Sequence, residues 1–246
     1  MRRIWLLAPA LVACGGTSGP AGGTDGSVAG GDAGPPRIDA AVVSCQAASE
    51  QSGEATYYDA DGSGNCSFDP IPGDFLVAAL NDADYDTASA CGACAEVTGP
   101  SGAVVVRIVD RCPGCGAGSI DLSQTAFSQV AELSAGRIDV TWKLVDCPVD
   151  GNLQIHFKDG SSGFWTALQI RRHRSSIATL EARSASRDWH AIERLNYNYF
   201  VDTAGLGDGP YDVRLTDVHG QIVQVDGVQP GDDVLRDTSE QFSACR

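Results

Sequence analysis

Residues Ala103-Val104-Val105-Val106-Arg107-Ile108-Val109 form an unbroken run dominated by β-branched side chains, and the run ends on a carboxylate, Asp110. Such a run reads as a strand buried on both faces. Cys112-Pro113-Gly114-Cys115 then forces a turn. A second carboxylate, Asp121, follows in Ile120-Asp121-Leu122-Ser123, at the mouth of a segment with apolar residues at Leu122, Ala126, Phe127 and Val130. Ser123 has the chemistry of a helix N-cap there. Two acids at the edge of one core, one at a strand end and one just before a helix, form a candidate polar site. The plainer alternative is two turn aspartates, each satisfied by backbone N–H groups.

The chain begins with Met1-Arg2-Arg3 and a short apolar stretch from Ile4 to Ala13. This is the pattern of a secretory signal, too short to span a bilayer as a helix. Its ending, Leu11-Val12-Ala13-Cys14, resembles a bacterial lipobox, which implies cleavage before Cys14 and lipidation of that residue. Residues 14–43 are rich in Gly, Ala, Ser, Thr, Asp and Pro. A segment of this kind buries too little apolar surface to fold and reads as a flexible tether.

Two domains are expected beyond the tether, 44–148 and 149–246, each of roughly 100 residues. The joint is Val145-Asp146-Cys147-Pro148-Val149-Asp150-Gly151-Asn152, short enough to hold them rigidly side by side. Both read mainly as strands separated by turn signals such as Asp61-Gly62, Asp159-Gly160 and His219-Gly220. Of the formal charge of −15, the first domain carries −11 (4 basic against 15 acidic residues) and the second −4 (10 against 14). That balance excludes a nucleic-acid binder and favours a neutral substrate over an acidic polymer.

Eight cysteines follow Cys14: Cys45, Cys66, Cys91, Cys94, Cys112, Cys115, Cys147 and Cys245. Cys91-x-x-Cys94 and Cys112-x-x-Cys115 have zinc-ribbon spacing. An exported chain with an even cysteine count favours disulfides instead, with no resident metal. Their connectivity does not follow from spacing.

Several blocks together carry a resemblance. Gly53-Glu54-Ala55-Thr56-Tyr57-Tyr58, Asp69-Pro70-Ile71-Pro72, Cys91-Gly92-Ala93-Cys94, Val109-Asp110-Arg111-Cys112-Pro113, Ile120-Asp121-Leu122-Ser123 and Gly136-Arg137-Ile138-Asp139-Val140-Thr141-Trp142 resemble the first domain of microbial expansins. The stretch from Gly151-Asn152 through Lys158-Asp159-Gly160-Ser161-Ser162, then Phe164-Trp165 and Asn196-Tyr197-Asn198-Tyr199-Phe200, is similar to their second domain. The resemblance implies an all-β fold, a six-stranded double-psi β-barrel followed by an immunoglobulin-like β-sandwich that binds polysaccharide. Expansins loosen plant cell walls without detectable hydrolysis.

By the same resemblance, Asp110, Asp121, Thr56 and Tyr58 line a polysaccharide groove, with Asp110 its essential acid. Lys158, Phe164, Trp165 and Tyr197 form the binding surface of the second domain. Phe164 stands where that surface often carries a Trp, and offers less area and no N–H. Adjacent strand residues point to opposite faces, so Phe164 and Trp165 can share one surface only at a bulge or turn, which Gly163 permits. Arg171-Arg172-His173-Arg174 reads as a solvated turn.

A hydrolase needs two working carboxylates on either side of the bond. In the related endoglucanases the base lies two residues beyond the match to Tyr58; here that position is Ala60, flanked by Asp59 and Asp61, which should point away. Two close carboxylates resist both being ionised, which would raise the pKa of the pair. The leading expectation is a non-hydrolytic wall-loosening monomer. It binds cellulose, xylan or another wall glycan, needs no cofactor, and is exported and lipid-anchored to a bacterial, outer, membrane or the cell surface, with secretion as the alternative. A glycan-cleaving enzyme on the same barrel (an endoglucanase or a peptidoglycan lytic transglycosylase) and a plain polysaccharide-binding lipoprotein are the alternatives.

Overall fold

The computed structural model describes residues 45, 48–70, 72–73 and 75–245. The expected signal segment, lipidation at Cys14 and tether fall outside these residues. Val42–Arg246 forms one compact unit.

Its first half is a closed barrel. Strands β1 (Gln51–Tyr58), β2 (Val77–Leu80), β3 (Cys94–Gly99), β4 (Gly102–Arg111), β5 (Ile120–Ser123) and β6 (Ile138–Val145) close in the order β1-β5-β2-β4-β3-β6. The pairs β1–β5 and β2–β4 are parallel, and the others are antiparallel. Parallel neighbours require crossovers: β1 reaches β5 only after β2, α1 (Asp82–Tyr85), β3 and β4, β2 reaches β4 through α1 and β3, and α2 (Gln124–Val130) leads from β5 towards β6. Ser123 caps α2, accepting from the Ala126 N–H at 3.1 Å, as the sequence predicts. Ala126, Phe127 and Val130 then pack into the barrel core with Val104, Val106, Ile108 and Leu122.

Two expectations need correction here. β4 is not buried on both faces: Val104, Val106 and Ile108 point inward, while Val105 and Arg107 are half-exposed on the outside. Closing a barrel gives each strand one inner and one outer face, so alternation wins over the continuous apolar run. Asp121 does not precede the helix directly. It sits in β5, and Leu122 belongs to the barrel interior.

The second half is an eight-stranded sheet folded into two layers. β7 (Gln154–Phe157), β8 (Thr166–Arg171), β9 (Ile177–Ser184), β10 (Arg187–Arg194), β11 (Phe200–Asp202), β12 (Tyr211–Asp217), β13 (Ile222–Val228) and β14 (Val234–Asp237) run in the order β13-β12-β9-β10-β11-β8-β7-β14. β10 passes from one layer to the other: Ala191 and Ile192 pair with β9, while Glu193 and Arg194 pair with β11. The two layers enclose Ile155, Phe157, Leu168, Ile170, Leu180, Ala182, Val213 and Leu215. This is the expected β-sandwich.

Disulfides replace the zinc-ribbon alternative. The bridges are Cys45–Cys245, Cys66–Cys91, Cys94–Cys147 and Cys112–Cys115. Cys91 and Cys94 therefore have different partners, and the four ribbon-spaced thiols do not share a site. Cys45–Cys245 ties the start of the barrel to the end of the sandwich across 200 residues.

The barrel and sandwich meet through specific polar contacts. The Gln169 amide donates to the carbonyls of Cys66 and Ser67, and the Arg171 guanidinium pairs with Asp69 at 2.6 Å. His173 is 3% exposed, and a Cβ added at Gly92 would lie 2.5 Å from its Nε2. Arg171 and His173 therefore sit in a seam between the two halves and not in a solvated turn, whereas Arg172 stays exposed. The partner of Arg171, Asp69, lies 102 residues earlier, beyond the reach of local composition.

Candidate functional site

The barrel register sets four positions in one row. Thr56 on β1 pairs with Asp121 on β5, Asp121 pairs with Ala79 on β2, and Ala79 pairs with Asp110 on β4. Ala78 and Leu80 belong to the core cluster and Ala79 does not, so Ala79 shares the opposite face with its row neighbours. Two strand spacings separate Asp110 from Asp121, roughly 10 Å between backbones. A methyl group thus forms the floor between two carboxylates.

Each acid is held by named donors. The Thr56 hydroxyl donates to Asp121 Oδ1 at 2.6 Å. Burial pushes the Asp121 carboxyl above the usual range, the Asp110 charge adds to this, and the Thr56 hydrogen bond opposes it. Asp110 Oδ1 accepts the N–H groups of Asn65 (2.6 Å) and Arg111 (2.8 Å). Gly64 lets the loop approach: a Cβ there would lie 2.4 Å from Asp110 Cβ and Cγ.

Tyr58 continues the β1 face two residues beyond Thr56. Its hydroxyl is buried with no hydrogen-bond partner among the described residues. Burial, and then the charges of Asp110, Asp121 and Asp61, hold its pKa well above the usual phenol range. The group is a fixed neutral donor beside two acids. All four groove residues read from the sequence therefore share one site. Ala60 lies beyond the end of β1, so strand alternation does not orient its neighbours. Asp61 turns back on its own loop and accepts from the Ser63 N–H at 2.9 Å and its hydroxyl at 2.6 Å.

The second-half residues lie on the outer face of the layer holding β8 and β11. Ser162 to Trp165 forms a tight turn, with the Ser162 N–H donating to the Trp165 carbonyl at 2.7 Å. Phe164 stands at its tip, 88% exposed. Trp165 and Tyr197 are half-buried and pack on Ala167, Tyr199 and Val201. The turn at Gly163 thus leaves both aromatics of the Phe-Trp pair accessible, as alternation alone would not. Lys158 lies on the same side, its ammonium paired with Asp159.

Sequence reasoning missed the residues that support these two sets. Tyr199 packs against Tyr197 with ring centroids 5.9 Å apart, and its hydroxyl bonds His156 Nδ1 at 2.8 Å. The Asn65 amide donates to the Tyr85 hydroxyl (2.8 Å) and to the Asn196 carbonyl (2.7 Å), which also accepts from the Tyr85 hydroxyl at 2.9 Å. One residue therefore touches the groove acid through its backbone and the Asn196-Tyr197 loop through its side chain.

Comparison with known proteins agrees with this geometry. A protein-family profile described as lytic transglycolase matches residues 77–142, the part of the barrel that contains both acids. Expansin-YoaJ of Bacillus subtilis is 36% identical over 177 residues, covering 70% of this chain and 75% of that protein. Expansin-like protein 1 of Dictyostelium discoideum is 30% identical over 202 residues, covering 77% and 70%. The crystal structure of an aspartate-to-asparagine variant of Clavibacter michiganensis expansin in complex with cellohexaose is 32% identical. It aligns with a TM-score of 0.74 over 80% of this chain and 100% of that one. With the barrel, the sandwich and the sequence in agreement, the chain belongs to the expansin family.

Proposed function

We propose that the protein binds a neutral cell-wall glucan, cellulose or a close relative, and loosens non-covalent contacts between wall polymers without cleaving them. The observation that carries this reading is the row Thr56–Asp121–Ala79–Asp110, linked through Asn65 to the loop bearing Tyr197. A glucan chain has apolar C–H faces and equatorial hydroxyls. Stacking on Trp165, Tyr197 and Phe164 contributes about 1 kcal/mol per good contact and holds the chain. The groove then offers hydroxyl acceptors at Asp110 and Asp121 and a donor at Tyr58. Competition for glucan hydroxyls is what separates one polymer from its neighbour.

Hydrolysis is disfavoured by the residue at position 60, an alanine where the related endoglucanases carry their base. Boundaries at 44–148 and 149–246, export, cleavage before Cys14 and anchoring there to a bacterial outer membrane complete the reading. So does action as a monomer without a cofactor. The test is a pull-down of the mature protein on cellulose, xylan, chitin and peptidoglycan, with released reducing sugar assayed in the same tubes. Retention on cellulose with no sugar above background is expected, and Trp165→Ala and Tyr197→Ala should each weaken it about 5-fold. Unchanged isotherms for both variants contradict the binding assignment, and steady sugar release contradicts the non-hydrolytic one.

A further inference from the structure

The sandwich carries a second aromatic surface, on the layer opposite to Trp165 and Tyr197. Leu180 and Ala182 on β9, and Tyr211, Val213 and Leu215 on β12, point into the core. Glu181 and Arg183 on β9, and Asp212 and Arg214 on β12, therefore lie on the outer face. Trp189 on β10 lies over this face: its ring is 4.9 Å from the Arg183 guanidinium carbon and 4.2 Å from that of Arg214. Both cations are also held by acids, Arg183 by Asp212 at 2.8 Å and Arg214 by Glu181 at 3.4 Å. Gln224 on β13 pairs with Arg214 and extends the polar row to the sheet edge.

The ring is thus half-buried and pinned, so a ligand stacking on it would lose little side-chain freedom. Beside it runs a track of donors (Arg183, Arg214, Gln224) and acceptors (Glu181, Asp212) crossing four strands, roughly 14 Å. Two guanidiniums face the carboxylates of Glu181 and Asp212, and Asp226 accepts from the Gln224 amide at 2.7 Å, so the track carries no excess of positive charge. A polyanion gains nothing there over its hydration, whereas a ligand presenting one apolar face and a rim of neutral hydroxyls matches both features.

We propose that Trp189 and this track form a second site for a neutral glucan chain, so that the sandwich holds one polymer on each outer face and bridges two chains. This rests on the reading above that the protein binds glucans. The bridging geometry follows from the sandwich itself, whose layers lie about 10 Å apart with the two aromatic surfaces facing away from each other.

The experiment is calorimetric titration of the mature protein with cellohexaose, alongside light scattering of cellulose nanocrystals mixed with the protein. The wild type should show two sites and flocculate the crystals. Trp189→Ala should leave one site and lose flocculation while still binding cellulose through the Trp165 and Tyr197 surface. Trp189→Tyr, which keeps a ring, should restore the second site to within about 5-fold of wild-type affinity. The Trp165→Ala/Tyr197→Ala double variant should leave only the Trp189 site. Circular dichroism confirms that each variant folds, and Trp189→Tyr answers the question if Trp189→Ala does not. One wild-type site that Trp189→Ala and Trp189→Tyr leave untouched overturns the inference. So does a Trp189-dependent site that prefers an acidic oligogalacturonide. If the double variant changes nothing while Trp189→Ala removes all binding, the Trp165 and Tyr197 assignment fails and the Trp189 site stands.

Discussion

Asn65 and Asn196, 131 residues apart in the chain, meet through a 2.7 Å hydrogen bond from the Asn65 amide to the Asn196 carbonyl. The same Asn65 donates its backbone N–H to Asp110 at 2.6 Å. A short path therefore runs from the groove acid to the residue before Tyr197. Under the proposed function, it would keep the Asp110 site and the Tyr197 surface in fixed register on one polymer.

Asn65→Ala removes the side-chain half of that path and keeps the backbone half. The loss is about 1–2 kcal/mol, two part-exposed hydrogen bonds, or a few degrees in Tm. Wall loosening should fall further than cellulose affinity, because each half keeps its own ligand contacts. Creep assays and binding isotherms on the same preparation check this, and equal losses in both would argue against coupling.

Thr56→Val removes the donor that stabilises ionised Asp121. The Asp121 pKa, already raised by burial, should rise further, since the Thr56 bond is the one influence lowering it. Carboxyl carbon NMR titration reads the shift directly. A downward or absent shift would mean that Thr56 does not hold Asp121 in solution.

Burial of His173 in the seam lowers its pKa to about 4, from an ordinary value of 6.5, with Arg194 and Arg107 adding to the effect. Between those values the unfolded chain binds the proton that the folded chain refuses. Stability should therefore rise from pH 4 to 6.5 and level off above, with at most about 3 kcal/mol from this residue. Denaturant unfolding across that range tests it, and His173→Gln should flatten the slope. An unchanged slope would assign the pH dependence elsewhere.

Cys112 and Cys115 are half-exposed, whereas Cys66, Cys91, Cys94 and Cys147 are at most 5% exposed. Attack by a reductant needs access to sulfur. Brief native-state treatment with dithiothreitol, followed by alkylation and mass mapping, should label Cys112 and Cys115 before those four. Labelling of Cys66 or Cys94 first would contradict the burial order.

Much of this architecture was legible beforehand. The Ile120–Ser123 and Val109–Pro113 blocks marked both acids, and Gly163 marked the turn that exposes Phe164. The sequence places Asp121 next to a helix because a four-residue strand running straight into an N-cap is too short to show a period. Gly64-Asn65 and Ala79 carry no chemical signature in sequence. Their roles arise from a close approach to Asp110 and from strand register, both long-range. The seam at Arg171 and His173 is hidden for the same reason, since Asp69 and Gly92 are remote in sequence.

The most direct test of the account is Asp110→Asn, which keeps the side-chain shape and the Oδ1 acceptor but removes the charge and the protonatable oxygen. Wall-extension assays, cellulose isotherms and reducing-sugar release should be measured together on wild type and variant. The account predicts that extension is lost, that cellulose affinity stays within about 2-fold because stacking resides on the sandwich, and that neither protein releases sugar. Full extension by Asp110→Asn would contradict it by removing the groove from the activity. Wild-type sugar release abolished by the substitution would contradict it by making the protein a glycan-cleaving enzyme.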